Sequence, residues 1–425
     1  MARKIISDSA DPVPTCYGYS ALFFGLVGTL ASAASVLTII AGIFAAWRLF
    51  ISRSLTHIEI PGLNLVWMAV FAFYGAGVLS AAIYPSDSES VKQLIERLPL
   101  LFLPLLIIFF AQAAEPMKLM RWSVIGAMVG IVILTAYWGF TWVYSATRFE
   151  GLSGNANVFG YMCGFLVIWL ALGLRLIKNN WVKIACLIAL LFGIAFTAFS
   201  GSRGNMLSVI LGLAIIAWYL PSWRHKWLRF GAILSTVVLI AAAASFTSVG
   251  ERTAMFLERA TQNGLSIEQF DAARSEIWRC GIQIGGDAAI LGQGHDASLE
   301  ALKSCAQTGA NKSRRYSHFH NLFIDQFAKG GMVGLLSASF LLFVPVILML
   351  RWIREGRISK SNPIHRMLIA VGFSFWLMHL VSSLFNIGLG HDAIDSMFVY
   401  TASLILGTTF AVASHDLNLV DINSD

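Results

Sequence analysis

Residues 331–350 read GMVGLLSASFLLFVPVILML, a run without one charged side chain. A bilayer's hydrocarbon core takes about 20 helical residues to cross, and this run has that length. After it comes RWIREGRISK (351–360), dense in arginine and lysine. Before it comes SHFHNLFIDQFAKG (317–330), which sets His318 and His320 one residue apart. Runs of the same kind recur near 63–83, 97–114, 119–144, 155–176, 181–198, 204–220, 228–248, 365–386 and 394–413. A soluble core could not hide so many. The expected fold class is an all-α polytopic integral membrane protein.

Composition agrees. Hydrophobic residues make up 57% of the chain and charged ones 12%, half the share of a soluble domain, about 25%; the mean hydropathy is +0.71. The net charge of +7 is scattered over short loops, so it reads as topology signals rather than as a stripe that tracks nucleic-acid phosphates. Met1 to Pro14 is polar and no clear cleavage site follows, so the first helices are expected to act as the insertion signal.

Charge also orients the spans. Arg351, Arg354, Arg357, Lys360 and Arg366 fall in one loop, and alternation groups with it the loops holding Arg224, Lys226 and Arg229, Arg175, Lys178 and Lys183, Lys118 and Arg121, and Arg48 and Arg53. The other side has only Lys92, Arg97, Arg148 and Arg203 outside its one large loop. The positive-inside rule makes the first set cytoplasmic. Keeping Arg3 and Lys4 inside as well turns 17–51 into a hairpin with a tight turn at Ser32–Ser35. The expectation is about 12 spans with both termini cytoplasmic. They divide into an N-terminal bundle of about nine spans (1–248), a large outer loop (249–330), and three closing spans with a cytoplasmic tail (331–425).

A large extracytoplasmic loop points to work done on that side. Its stretch LSIEQFDAARSEIWRCGIQI (265–284) reads as an amphipathic helix. Ser266 and Gln269 fit a capping box, Phe270, Ala273, Ile277 and Ile284 form one apolar stripe, and Arg274 and Trp278 lie on a neighbouring face. LGQGHD (291–296) is a glycine-punctuated turn, and 298–307 is expected to be a short helix. Cys280 and Cys305 are the loop's only cysteines. On an oxidising side they are expected to form a disulfide. Cys16, Cys163 and Cys186 lie in or near spans and read as small packing residues.

Several groups on the same side could carry chemistry. Arg203, in AFSGSRGNML (198–207), occupies a short outer connection at a helix start. There the guanidinium, the helix N-terminus and small neighbours together suit a phosphate; the alternative is an arginine snorkelling to lipid headgroups. Arg148, in TRFEGLSGNANVFG (147–160), lies in a similar connection, where Glu150 is an alternative partner. Arg274 adds a third outer guanidinium. His318 and His320 start the span at 331, and a histidine near neutral pH is a natural general base. Two residues apart, they cannot share one helix face, so one could act while the other packs or makes a hydrogen bond. His391 and Asp392, in GLGHDAID (388–395), form another outer connection that could face the same cavity. With His295 in the same loop but no cysteine or carboxylate constellation, the pattern does not read as a metal site. His379, inside a span, calls for a partner that the sequence does not show.

Four stretches in order, RFEGLSGNANVFG (148–160), TAFSGSRGNMLSVILG (197–212), ARSEIWRCGIQIGGDAAILGQGHD (273–296) and HFHNLFIDQFAKGGMVGL (318–335), resemble bacterial O-antigen ligases, within the superfamily that also holds O-antigen polymerases and protein O-oligosaccharyltransferases. The resemblance implies a GT-C-like glycosyltransferase on the outer face of the bacterial inner membrane, independent of metal and cofactor. Its donor would be O-antigen polysaccharide on undecaprenyl diphosphate and its acceptor a sugar hydroxyl of lipid A–core, both among membrane lipids. Arg203 and Arg274 would hold the donor diphosphate and His320 would activate the acceptor hydroxyl. Arg148, His318, Asn321 and His391 are further possible substrate-binding residues. The diphosphate is already a good leaving group, so two arginines can stabilise the departing charge while one base drives an inverting attack.

Within the superfamily, protein O-oligosaccharyltransferases are similar in carrying H-[NSQ]-x9-G-x2-G-x2-[WTY]. His320–Asn321, Gly331 and Gly334 fit that pattern, but Ser337 stands at its last position, which argues against a protein acceptor. Arg274 to Gly285 fits the R-x10-G spacing of polymerases, yet the short Arg203 loop has no room for a second such element. The ligase reading leads. Outside the class, a lipid or glycan transporter competes, but no internal repeat is evident, charge inside the spans is sparse, and the candidate groups gather on one face.

Overall fold

The computed structural model describes residues 20, 23–29, 31–51, 59–84, 88–113, 115–141, 149–219, 234, 237, 272–306, 316, 318–386 and 388–422. These residues form α-helices joined by turns and short 3-10 segments, with no strands among them. The helices are α1 (Ala31–Ile51), α2 (Leu63–Ile83), α3 (Ser88–Glu96), α4 (Leu103–Ala111), α5 (Pro116–Thr141), α6 (Ala156–Leu176), α7 (Asn180–Phe199), α8 (Arg203–Tyr219), α9 (Ala272–Asp287), α10 (His295–Cys305), α11 (Leu322–Arg354), α12 (Pro363–Phe385) and α13 (Asp392–Ile422). Nine helical stretches among the described residues are long and apolar enough to cross a membrane, and α8 is a shorter apolar helix. The protein is an all-α, multi-pass membrane protein. The span expected at 228–248 lies outside the described residues apart from 234 and 237, as do Ser266, Gln269, Phe270, Cys16 and the basic cluster at 311–315.

α6 and residues 392–414 of α13 are buried nearly throughout, whereas α1 and α2 turn most of their surface outward. α8 lies along α12, α4 and α1 along α13, α2 along α11, and α6 along α7. Large rings fill the centre: Phe24, Trp169, Phe165, Phe375 and Tyr400 stack or meet edge-on with centroids 5.0–5.5 Å apart, the offsets that aromatic quadrupoles favour.

Two expectations are corrected. The turn in 17–51 falls at Gly28–Thr29, after a helical segment at 23–27, and Ser32–Ser35 lie inside α1. Thr29 Oγ1 donates back to the carbonyls of Gly25 (2.8 Å) and Leu26 (3.2 Å). Serines and threonines stay helical in apolar surroundings when their hydroxyls bond to the preceding turn, as Thr38 does to Ala34 (2.8 Å). The run expected from 97 begins earlier, at Ser88, with α3. A 3-10 turn (Leu98–Phe102) and α4 follow, carrying Pro99 and Pro104 in their first turns, where a missing N–H is tolerated. The bend turns Arg97 inward, leaving it 5% exposed.

α11 breaks at Gly331, the first residue of the run quoted above, where φ is 59°. The turn at 289–294 fills the break. Gln293 and Gly294 donate to the carbonyls of Ala328 (3.2 Å) and Lys329 (3.0 Å), and Met332 and Val333 donate to those of Ala289 (2.8 Å) and Ile290 (3.2 Å). A Cβ on Gly331 would stand 2.4 Å from the Ile290 carbonyl. Gly331→Ala therefore combines a left-handed backbone with an overlap against main chain that cannot rotate away. It should cost about 1–3 kcal/mol from the backbone alone, and a thermal-unfolding scan in detergent should show a clearly lower midpoint. An unchanged midpoint would mean that the break tolerates a side chain.

Candidate functional site

The large loop has its own small core. Ile277, Cys280 and Ile284 from α9, Leu302 and Ala306 at α10, and Phe319 and Ala328 are buried together, and Cys280 is joined to Cys305 with their Cα atoms 6.0 Å apart. Phe319 sits between the two histidines in sequence and is fully buried in this core. Its burial turns His318 and His320 to the other side of the segment, half-buried. The segment is not helical, and the imidazole rings lie edge to face with centroids 4.1 Å apart; Tyr316 meets His320 at 6.1 Å. The two imidazoles therefore pack on each other as a contacting pair.

His320 has φ 54°, the only non-glycine residue with positive φ among those described. A bulky side chain there costs energy that the surrounding structure must supply, and such residues concentrate at functional sites. The surroundings are specific. Asn321 caps α11, its side-chain oxygen accepting from the N–H groups of Phe323 (2.9 Å) and Ile324 (3.2 Å), while its Nδ2 donates to the Leu384 carbonyl at the end of α12 (3.1 Å). The Phe319 N–H donates to Asp325 Oδ1 (3.2 Å), and Asp325 pairs with Lys329 at 2.9 Å. Asn321 is thus engaged at both ends in holding His320 in place.

Positive groups surround the pair. His318 is held well below the ordinary histidine range, by burial first and then by the charges of His320, Lys329, His391 and Arg274. The charges of Arg274, half-buried in the first turn of α9, and of His391 thus act on His318. His391 pairs with Asp392 at 3.0 Å. Burial opposes its charged form, but the Asp392 hydrogen bond and the charges of Asp392, Asp395 and Glu96 prevail and raise it above the ordinary value. One imidazole is therefore held neutral and another is biased toward cation.

Arg203 is the first residue of α8 and is half-buried. Ser200 and Ser202 shape the turn before it: Ser202 N–H donates to Ser200 Oγ (3.2 Å) and the Ser202 carbonyl accepts from Met206 (3.0 Å). Next to Arg203, Gly204 packs on Phe385, and Leu384 is the residue that Asn321 grips. Asn205 bonds both the Asn157 carbonyl (2.7 Å) and Ser382 (2.8 Å). Arg203 and His320 are thereby each one residue from a contact with the same turn of α12. Arg148 lies outside the described residues; its neighbour Phe149 donates to the Phe199 carbonyl (3.0 Å), beside the turn that leads to Arg203.

Sequence reading missed part of the arrangement. His379 has a partner, the Tyr161 hydroxyl, which bonds its Nδ1 among the rings of Phe165 and Phe398. Arg97, Asp325, Lys329 and Asp395 are buried beneath the histidines. The available signal was charge next to or inside an apolar run: an Asp–Lys pair four residues apart before Gly331, and an aspartate inside the run at 394–413.

A multi-pass helical membrane protein with a contacting histidine pair on which the charges of Arg274 and His391 act is the class that fold and site define. A family model described as O-antigen ligase matches residues 186–339, from α7 to the middle of α11. Over these residues the chain is similar to the O-antigen ligase superfamily, a glycosyltransferase-type family of ligation and polymerisation that works on lipid-linked polysaccharide. The matched segment contains Arg203, Arg274, His318, His320 and Asn321; Arg97, Arg148 and His391 lie outside it. No curated protein matches the chain.

Proposed function

We propose that this protein is an O-antigen ligase of the bacterial inner membrane, moving O-antigen polysaccharide from undecaprenyl diphosphate to a sugar hydroxyl of lipid A–core. In this reading both termini are cytoplasmic. Residues 1–248 form the first bundle, 249–330 a periplasmic cap, and 331–425 the closing spans, so the histidine end of the bundle faces the periplasm. The observation that carries the proposal is the paired imidazoles at the start of α11, held within electrostatic reach of Arg274 and His391, in a chain that matches the O-antigen ligase model over this region.

The chemistry follows from the groups. His320 takes the proton of the acceptor hydroxyl as its oxygen attacks the anomeric carbon from the face opposite the diphosphate. The bond from that carbon to the diphosphate oxygen breaks, its electron pair leaves on the diphosphate, and the anomeric configuration inverts. Arg203 and Arg274 stabilise the leaving charge, as does the N-terminus of α8. His318, kept neutral, presents no like charge to a proton arriving on His320. The test is gene deletion in the native host, with gels of lipopolysaccharide and of undecaprenyl-linked glycan. Long polymer on undecaprenyl and bare lipid A–core support the ligase. Cores capped with one repeat would replace it with a polymerase, loss of glycan from a periplasmic protein with a protein acceptor, and no glycan change with a transporter.

A further inference from the structure

Beneath the histidines lies a buried charge cluster to which the mechanism above gives no task. Arg97, at the end of α3, projects inward with its guanidinium 4.5 Å from the centre of the Phe73 ring. Its Nη2 donates to Gln93 Oε1 (3.3 Å) and Gln326 Oε1 (3.5 Å), and Gln326 Nε2 donates in turn to Asp325 Oδ2 (3.3 Å). Asp325 is the carboxylate that holds the Phe319 N–H, between His318 and His320. On the other side Asp395, fully buried at the start of α13, accepts the Gly390 N–H at 2.9 Å, the peptide next to His391. The guanidinium lies against that peptide: a Cβ on Gly390 would stand 3.4 Å from Arg97 Nη2 and 3.9 Å from Gln326 Nε2.

From this geometry we propose that Arg97 is a positioning residue which locks the two histidine segments to each other. Each segment hangs by one backbone N–H from a buried carboxylate, and Arg97 lies between them, linked to Asp325 through Gln326 and set against the Gly390 peptide that Asp395 holds. Fixing Arg97 on α3 fixes Asp325 through Gln326, and with it the left-handed turn at His320. On the other side the guanidinium lies against Gly390, whose N–H Asp395 accepts, and so against the glycine turn that presents His391. Gly390, at φ 97°, lets the backbone pass close to the guanidinium. Buried ion pairs seldom stabilise a protein more than apolar side chains of the same volume would. A set of two cations and two carboxylates under a strained loop is better explained by the geometry it imposes. Arg97 has no hydrogen bond or ring contact with the histidines, so it acts through Gln326 and Asp325 on one segment and through the Gly390 turn on the other.

The test uses the full-length protein in detergent and three variants, Arg97→Gln, Asp395→Asn and the double variant, with the Cys280–Cys305 bond and the thermal midpoint as folding controls. Diethylpyrocarbonate modification of His318, His320 and His391, followed by mass spectrometry, reports the exposure of both segments. Arg97→Gln should raise modification on both segments by roughly fivefold, the scale of coupling between buried neighbours. The double variant should label His391 less than Arg97→Gln does, because asparagine still accepts the Gly390 N–H and no charge is left unbalanced there, while His318 and His320 stay raised, because Gln326 still lacks Arg97. Increased labelling of only one segment in Arg97→Gln, or a double variant that restores wild-type labelling at His318 and His320, overturns the proposal. Should Arg97→Gln fail to accumulate, Arg97→Lys decides: wild-type labelling supports an electrostatic lock, and labelling of both segments above wild type in folded protein overturns it. The labelling needs no substrate. It stands or falls separately from the ligase reading on which the histidines' catalytic role rests.

Discussion

Replacing His320 with asparagine should abolish glycan transfer, a loss of roughly 10²–10⁴-fold from removing a general base, while the protein still inserts and retains its Cys280–Cys305 bond. Asparagine is the informative substitution because the position is left-handed, with φ 54°, and asparagine tolerates that conformation better than most residues. A loss in His320→Asn therefore reports on the imidazole and not on backbone strain. The assay is transfer of a lipid-linked polysaccharide to lipid A–core in proteoliposomes, read on a gel; a variant with wild-type rate would remove His320 as the base. The pH profile adds a second check. A base must be neutral, so the rate should fall as acid protonates it. His391, raised by Asp392, keeps its positive charge to higher pH than an ordinary histidine and loses it as pH rises further. If that charge helps hold the anionic donor, the profile has an alkaline limb as well, and His391→Gln should flatten that limb while leaving the acid one.

Hydropathy made the bundle legible, because each span is a local property of about 20 residues, and the spans at 63–83, 155–176 and 181–198 fall within a residue or two of α2, α6 and α7. The histidine segment was legible for a similar reason: polar groups beside an apolar run call for an explanation. What escaped was long-range pairing. Arg97 read as one more outer charge, because nothing local shows that Pro99 and the 3-10 turn carry it inward to Gln326, 229 positions away. His379 lacked a visible partner because Tyr161 lies 218 positions away. Asp325 is the first-turn acid of α11, a residue type that often serves the helix dipole; here its oxygens serve Phe319 and Lys329. Periodicity shows which face a residue occupies, not which distant face it meets.

Loss of either arginine should be felt by the donor and not by the acceptor. Arg203→Ala and Arg274→Ala are each expected to lower kcat/KM for the lipid-linked donor by about 10–150-fold, the scale of one hydrogen bond to a charged group, with the acceptor KM unchanged. The two should differ in how lysine restores function. At Arg203 the N-terminus of α8 already supplies partial positive charge, so Arg203→Lys, which adds a point charge, should recover much of the loss. At Arg274, on a half-buried face of α9 near His318, a planar fork is harder to replace, and Arg274→Lys should recover less. If both grip one diphosphate, the double alanine variant will cost less than the product of the single losses, because the second contact has less to hold once the first is gone. Strictly multiplicative losses would place the arginines on different ligands, and unchanged donor kinetics in both single variants would take the diphosphate away from them.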